Sequence, residues 1–446
     1  MSQIVKMPKN TQPVYDLIGL GIGPFNLSVA ALAQSSSHIR TAFFDSKSEF
    51  SWHQGLMFSR SVLQTSFLKD LVTAVQPTSA YSFMAFLVEK KRFYDFLAGR
   101  FTGVTRVEFN EYLAWAAGKM NNLHWNHTAQ EISVKDNRLS VAFEDGRVEH
   151  TPNLVVGTGM KPFIPQWATT YLGENCFHAS SYLNKARQIK NKRIAVIGGG
   201  QTGAEIVLDL LTNTQAAPLE VQWISNLPRF SPLEEGGFVD QVFTPAYVQS
   251  YQTLPKQSQR QEVVNQKLAS DGLTPSTVDE LYAEIYRRKH LCADPCTITL
   301  LPGRDVKAME QQGTGYRLTS NSTISGQTET QQADLVILAT GARPALPEFI
   351  TPLLPRLSLD ENGLPELDAS YRLQWDGPRN LQIFGLNLGL SSHGIVDPQM
   401  SLMTWRSATI LNAVVGEPLF DLEDDNELID WPSVPRAEIL NQVIPA

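Results

Sequence analysis
The residue types best placed for chemistry in this chain are glycines. Gly21, Gly23 and Asn26 form one G-x-G-x-x-N run, and Gly198, Gly200 and Gly203 form a complete G-x-G-x-x-G run. Glycines at this spacing permit a tight turn and let a pyrophosphate approach the backbone at a helix N-terminus. One such run alone is weak evidence. Here each follows a short apolar stretch that reads as a strand, and each opens into a helical pattern. Asp45 stands 24 positions after Gly21 at the end of the next apolar stretch, where an acid would bind a ribose hydroxyl. The second unit differs there. Its next strand runs from Leu219 to Ser225 and ends without an acid, with Arg229 following. A hydroxyl and an arginine suit a 2′-phosphate that an acid would repel, which favours NADPH over NADH. A solvated surface arginine would look the same. Two dinucleotide sites in one chain suggest a flavin and a nicotinamide face to face, with hydride passing to the flavin.

The elements that must position these residues follow from the hydrophobic pattern. Strands are expected over 14–20, 41–45, 154–159, 193–198, 219–225 and 334–341, and helical segments from Asn26 and over 81–99 and 106–119. Residues 51–78 make a mixed stretch too long for a simple connection, so it reads as functional. A polar helical period covers 256–290, with a turn at Ser270-Asp271-Gly272 and a helix N-cap near Thr277. Residues 308–332 read as exposed hairpin strands, and 380–412 as strand, loop and helix. Thr158-Gly159 and Thr340-Gly341 each end a strand in a turn where the backbone could cross near a dinucleotide. The expected fold class is α/β, with two Rossmann-like dinucleotide-binding domains, for FAD and NADPH, and a small inserted substrate-binding region. The expected limits are 1–188 for the first part of the FAD-binding domain and 189–272 for the NADPH-binding domain. A helical substrate-binding region over 273–333 follows, then the second part of the FAD-binding domain over 334–446.

Bulk composition narrows the class. Hydrophobic residues at 42% and charged residues at 18% are ordinary for a soluble globular protein, and 446 residues allow two or three domains. A formal net charge of -8 leaves no basic footprint, so nucleic acid is not an expected partner. Cys176, Cys292 and Cys296 cannot build a disulfide framework and fit a reducing cytoplasm. The C-x3-C of the last two has no second pair and reads as two free thiols, so no metal is expected. Met1–Pro13 carries no apolar core of signal-peptide length, and no apolar run reaches the roughly 20 residues of a membrane helix.

Longer stretches carry a resemblance. Phe50-Ser-Trp52-His53, Leu63-Gln64-Thr-Ser-Phe-Leu-Lys69-Asp70, Pro77-Thr-Ser-Ala-Tyr-Ser-Phe83, Phe177-His178-Ala-Ser180, Gly200-Gln201-Thr202-Gly203 and His393-Gly394-Ile395 with Ser401-Leu402 resemble the microbial N-hydroxylating flavin monooxygenases. These are the lysine, ornithine and diamine N-monooxygenases of hydroxamate siderophore pathways, and the likeness spans nearly the whole chain. It is closer to the lysine and diamine members. The resemblance implies that NADPH reduces FAD, that the reduced flavin takes up O2 as a C4a-hydroperoxide, and that a neutral terminal amine is oxygenated to a hydroxylamine. The cofactor supplies the hard chemistry, and the protein supplies placement, water exclusion and hydrogen bonds.

The same resemblance assigns roles. Gly21, Gly23, Pro24, Asn26 and Asp45 would hold FAD, and Trp52 and His53 would line its pocket. Gln64 would lie against the flavin or nicotinamide, and Lys69 would contact a substrate carboxylate. Gly198, Gly200, Gln201, Thr202 and Gly203 would hold the nicotinamide nucleotide, with Ser225 and Arg229 near its 2′-phosphate. Gly341 would lie by a dinucleotide, His393 and Gly394 would border the isoalloxazine, and Ser401 would line the substrate pocket. Plainer readings stand beside these: His53 and His393 as structural histidines, Trp52 as core, Lys69 as the partner of a nearby acid. A small aliphatic amine and O2 are the implied partners, in a homo-oligomer that is a tetramer or a dimer.

Departures from the ornithine members bear on the amine. Those carry Phe-Val-Asn-Glu where this chain reads Phe238-Val239-Asp240-Gln241, and Asn-Tyr where it reads Leu281-Tyr282. Asp240 could pair with a second ammonium, whereas Lys69 suits a carboxylate and would repel a diammonium. The reaction site is therefore expected at Gln64, Lys69, Asp240 and Ser401, with a slight lean to a diamine, putrescine or cadaverine, and L-lysine as the alternative. A flavin-dependent disulfide reductase is the rival of another class. It is disfavoured because no redox C-x-x-C or C-x4-C follows the first fingerprint.

Overall fold
The computed structural model describes residues 15–36, 39–185, 189–213, 217–292, 296–423 and 428–432. The reading of Met1–Pro13, and residue 188 at the expected first domain limit, lie outside them. Two five-stranded parallel sheets carry the two fingerprints. In the first, Leu17–Leu20 pairs with Thr41–Asp45 on one side and Asn153–Val156 on the other, with Leu123–Trp125 and Gln382–Gly385 at the edges. In the second, Arg193–Ile197 pairs with Glu220–Ile224 and Leu335–Leu338, with Thr297–Leu301 and Cys176–His178 at the edges.

The central strands are continuous apolar runs because both faces of a parallel sheet are covered. Alternate residues of Arg193–Ile197 enter different cores. Ile194 and Val196 pack with Ala204, Ile206 and Val207 of the fingerprint helix. Ala195 and Ile197 pack with Val306, Met309 and Leu318. These last residues come from an antiparallel sheet of Arg304–Gln312, Gly315–Ser322 and Thr328–Ala333, so the polar hairpin stretch also covers one face of the second sheet. In the first unit the helix Pro24–Ala33 is buried from Asn26 to Ala33 and packs against the helix Met403–Val415. Its small residues allow that close approach.

Sheet membership departs from the expected limits at 188, 272 and 333. Cys176–His178 and Leu335–Leu338 are strands of the second sheet, and the first regains Gln382–Gly385 from far along the chain. Gly237–Asp240, Pro245–Thr253, Lys256–Asn265, Lys267–Asp271 and Pro275–His290 are all helices between two strands of the second sheet, so the helical insertion starts well before 273. The last of these helices begins after Thr274, with Pro275 in its first turn, rather than near Thr277. Proline suits that position because its missing N–H would have no helical partner there. The helical period over 81–99 splits into Phe83–Glu89 and Phe93–Gly99 around Lys91, which has φ 61°. Among the described residues no helix is long and apolar enough to cross a membrane.

Candidate active site
A cavity of about 1160 Å³ lies at the carboxyl ends of the strands of the first sheet and reaches the second unit. That is the place where open α/β sheets bind ligands. It exceeds the roughly 300–1,000 Å³ usual for one small-molecule site, so it has room for a dinucleotide and a small amine. Gly21, Gly23, Pro24 and Asp45 line it, as do Trp52, His53, Gln64, Lys69, Asp240 and Ser401.

The first fingerprint fits a bound dinucleotide. Gly21 has φ +86°, and a Cβ on it would stand 2.5 Å from the Gly157 carbonyl oxygen. A Cβ on Gly23 would meet nothing within 4 Å, so this position faces open space. No side chain caps the helix that starts at Pro24, which leaves its first amides for an anion. Asn26 lies behind the glycines rather than on the cavity wall. Its Nδ2 donates to the carbonyls of Leu20 at 3.1 Å and Gly21 at 2.7 Å. Asp45 ends its strand on the cavity wall and accepts the amides of Ile22 at 2.6 Å and Lys47 at 2.9 Å. Both bonds orient the carboxylate and leave it acceptor capacity for a ribose.

The second fingerprint has the same design. Gly198 has φ +132°, and a Cβ there would lie 2.0 Å from the Ala339 oxygen. Gly200 faces open space, and no side chain caps the helix that follows it. Thr202 lines the cavity, whereas Gly198, Gly200 and Gly203 do not. Ser225 is buried, and its hydroxyl accepts the Leu227 amide at 3.1 Å, so it shapes the loop. Arg229 is exposed, with its Nε donating to Ser231 Oγ at 3.1 Å, and its guanidinium is available to an anion from solvent.

Two glutamines expected at the cofactors have other partners. Gln201 is not on the cavity wall; its Oε1 accepts the Thr274 amide at 2.8 Å and its Nε2 donates to Glu205 at 3.1 Å and Thr277 at 3.0 Å. Gln64 does line the cavity, but its Nε2 donates to the Gly272 carbonyl at 3.3 Å and to Thr274 Oγ1 at 3.1 Å. His393 and Gly394 are also off the wall. His393 is fully buried and stacks on Tyr371 at 3.8 Å between centroids, and burial pulls its imidazole down to about 3. Gly394 has φ +73° and abuts Tyr251. Asn387 and Pro398–Ser401, on either side in sequence, are the residues of this segment that reach the cavity. Gly341 is not on the cavity wall either, although it is exposed beside the wall residue Ala342; its carbonyl accepts from Phe163 N at 2.9 Å and bonds to His178 Nε2 at 3.0 Å.

The electrostatics of the wall follow from burial. His53 has a left-handed backbone, φ 48°, and its ring lies 4.8 Å from that of Trp52. Desolvation, helped by the Arg106 cation, lowers its imidazole to about 4, so it is neutral at ordinary pH. Desolvation also pulls the Lys69 ammonium below the usual lysine range, and the Asp240 carboxylate works against that shift. Lys69 lies over the Phe243 ring at 5.6 Å. Sequence reasoning gave no role to Arg106, Phe243, Glu205 or Thr274. Arg106 and Phe243 line the cavity, while Glu205 and Thr274 bond to residues that do. Only Glu205 stood in a recognisable motif, inside the second fingerprint helix.

Residues 13–344 match the model of the L-lysine 6-monooxygenase/L-ornithine 5-monooxygenase family. The chain belongs to this family. It is 39% identical to the L-lysine N6-monooxygenase of Escherichia coli over 94% of this chain and 98% of that protein. The FAD-bound cadaverine monooxygenase of the desferrioxamine pathway from Erwinia amylovora has a TM-score of 0.89 at 28% identity, covering 95% of this chain and 100% of that one. An ornithine N-hydroxylase from Kutzneria sp. 744, solved with reduced FAD, NADP+ and L-ornithine, has a TM-score of 0.83 at 27% identity, covering 91% and 99%. The protein is an FAD-dependent N-hydroxylating monooxygenase that uses NADPH. The family match displaces the rival reductase reading. Cys176 is a buried strand residue whose thiol is pushed up to about 11 by desolvation.

Proposed function
We propose that the protein hydroxylates the terminal amine of L-lysine, supplying a hydroxylamine for hydroxamate siderophore assembly. The observation that carries this reading is a cation and an anion, Lys69 and Asp240, on the wall of a single cavity and close enough to influence each other. The head of an α-amino acid bears one carboxylate and one ammonium, which matches that pair. Lys69 takes the carboxylate, Asp240 takes the α-ammonium, and the aliphatic chain carries the terminal amine away from both. That amine must be neutral to act as a nucleophile, and desolvation by the bound cofactors would disfavour its charged form. FAD when bound supplies the oxygenating chemistry, with NADPH as the source of hydride. His53, neutral beside the Arg106 cation, adds no charge to the wall near the amine. The 39% identity to the lysine enzyme from Escherichia coli points the same way.

A diamine is the second reading. The exposed acids Glu234 and Glu235 join Asp240 on the wall, and the likeness to the cadaverine enzyme extends over nearly the whole chain. Exchange of the two charges separates the readings. With lysine, Lys69→Met should raise KM by tenfold or more with little change in kcat, the mark of lost ground-state binding through a charged bond. Asp240→Asn should raise it less. A Lys69→Met enzyme that keeps its KM for lysine, or that gains activity on cadaverine at lysine's expense, would transfer the assignment to the diamine.

A further inference from the structure
An ion pair at the cavity, Arg106–Glu205, joins the two dinucleotide-binding units. Arg106 opens the helix Arg106–Lys119 of the first unit, and Glu205 lies one turn into the fingerprint helix Gln201–Thr212 of the second. The guanidinium meets both carboxylate oxygens, at 3.1 and 2.9 Å, with the two side chains 15% and 4% exposed. A two-point fork of this kind fixes orientation as well as separation. Arg106 Nη1 also donates to the Leu56 carbonyl at 2.6 Å, in the loop that carries His53.

The pair does not act alone. Glu205 Oε1 accepts Gln201 Nε2, Gln201 Oε1 accepts the Thr274 amide, and Thr274 Oγ1 accepts Gln64 Nε2. The route therefore starts on the cavity wall at Arg106, crosses into the second fingerprint helix, passes to the segment before Pro275–His290, and returns to the wall at Gln64. Both ends belong to the first unit, and everything between them belongs to the second.

We infer that the Arg106–Glu205 pair is a positioning device that sets the second fingerprint helix against the FAD cavity, so that hydride donor and acceptor are held at reacting distance. Hydride transfer depends steeply on placement, and a misplacement of about 1 Å lowers a rate on the order of a hundredfold. The inference rests on the two cofactors and not on the amine, because flavin reduction can be followed with no amine present. Its failure is thus distinguishable from failure of the lysine assignment.

The test uses the full chain loaded with FAD. In Glu205→Gln the amide keeps the shape of the side chain but loses the charge. Anaerobic flavin reduction by NADPH in the stopped flow should slow at least tenfold, with FAD retention and Tm little changed. Hydrogen exchange should quicken over 201–206 and 272–277, with or without NADP+, while the sheet strands keep their protection. Arg106→Lys keeps the charge but makes a single-point contact, so its reduction rate should fall between those of the wild type and Glu205→Gln. Wild-type reduction rates in both variants would overturn the inference. Slower reduction with unchanged exchange would also overturn it, since the pair would then not be acting on the helix. If Glu205→Gln loses FAD or melts early, Arg106→Lys decides alone by the same two readouts.

Discussion

The two fingerprints reach close helix–strand packing by opposite means. In the second, Gly203 has no room for a side chain, since a Cβ would stand 2.2 Å from the Gly198 oxygen. In the first, the corresponding residue is Asn26, fully buried, whose amide clamps the carbonyls of Leu20 and Gly21. Room for that clamp comes from the neighbouring turn: a Cβ on Gly157 would lie 2.5 Å from Asn26 Nδ2. One unit deletes the side chain on the helix; the other keeps it and deletes one across the sheet. The middle glycines, Gly23 and Gly200, face open space in both units. The letters of the pattern therefore carry different information. The middle position has open space before it, and the outer positions serve the fold.

That comparison can be broken at the outer glycines, where the largest effect is expected. Gly198→Ala would place a non-glycine residue at φ +132° with its Cβ against the Ala339 carbonyl, so loss of about 3 kcal/mol or more is expected. Thermal melting and soluble yield measure it, and a variant as stable as wild type would refute the packing role.

A smaller and more selective effect is expected at the middle positions. Gly23→Ala should keep Tm within a few degrees yet lose FAD on gel filtration, while NADP+ still binds. Gly200→Ala should do the reverse, keeping FAD and weakening NADP+ by roughly tenfold, about 1.4 kcal/mol. Calorimetric titration of each nucleotide reads this directly. Equal losses of both nucleotides in both variants would show that the two positions do not serve separate ligands.

The smallest effect concerns the first unit only. His393 takes up a proton near 6.5 in the unfolded chain but only near 3 when folded. Between those values the unfolded state binds more protons, so stability falls as the pH is lowered through 6.5. His393→Asn should remove about one proton from the uptake on unfolding, seen as a shallower slope of denaturant midpoint against pH between 6.5 and 5. An unchanged slope would mean that the buried imidazole already carries a proton.

Much of the scaffold was legible because the pattern is local. Strand, glycine turn and helix follow one another within Leu17–Ala33 and again within Arg193–Thr212, and Asp45 falls at a strand end as expected. The meeting of Lys69, Asp240 and Ser401 on one wall was foreseen only through resemblance to a family, since three segments far apart in sequence supply them. Strand neighbours were not legible. Nothing in Cys176–His178 or Leu335–Leu338 states which sheet they join, because parallel pairing across long insertions leaves no register signal in either strand. The same holds for Arg106 and Glu205, 99 positions apart. A histidine beside a glycine reads as a site residue, and the full burial of His393 and its stacking on Tyr371 become visible only in the fold. Gln64 and Gln201 have the right chemistry for a nucleotide, but each amide is engaged by backbone or side chains that the fold brings to it.

The most direct test of the account is hydroxylamine formation by the FAD-loaded protein with NADPH and O2, measured in parallel on L-lysine, L-ornithine, cadaverine and putrescine. N-hydroxylated product is expected from L-lysine, with NADPH oxidation tightly matched to product and the diamines far slower. Product from the diamines with none from lysine would contradict the pairing of Lys69 with a carboxylate. NADPH oxidation that yields only hydrogen peroxide with all four would contradict the reading of the cavity as a site for any of these amines.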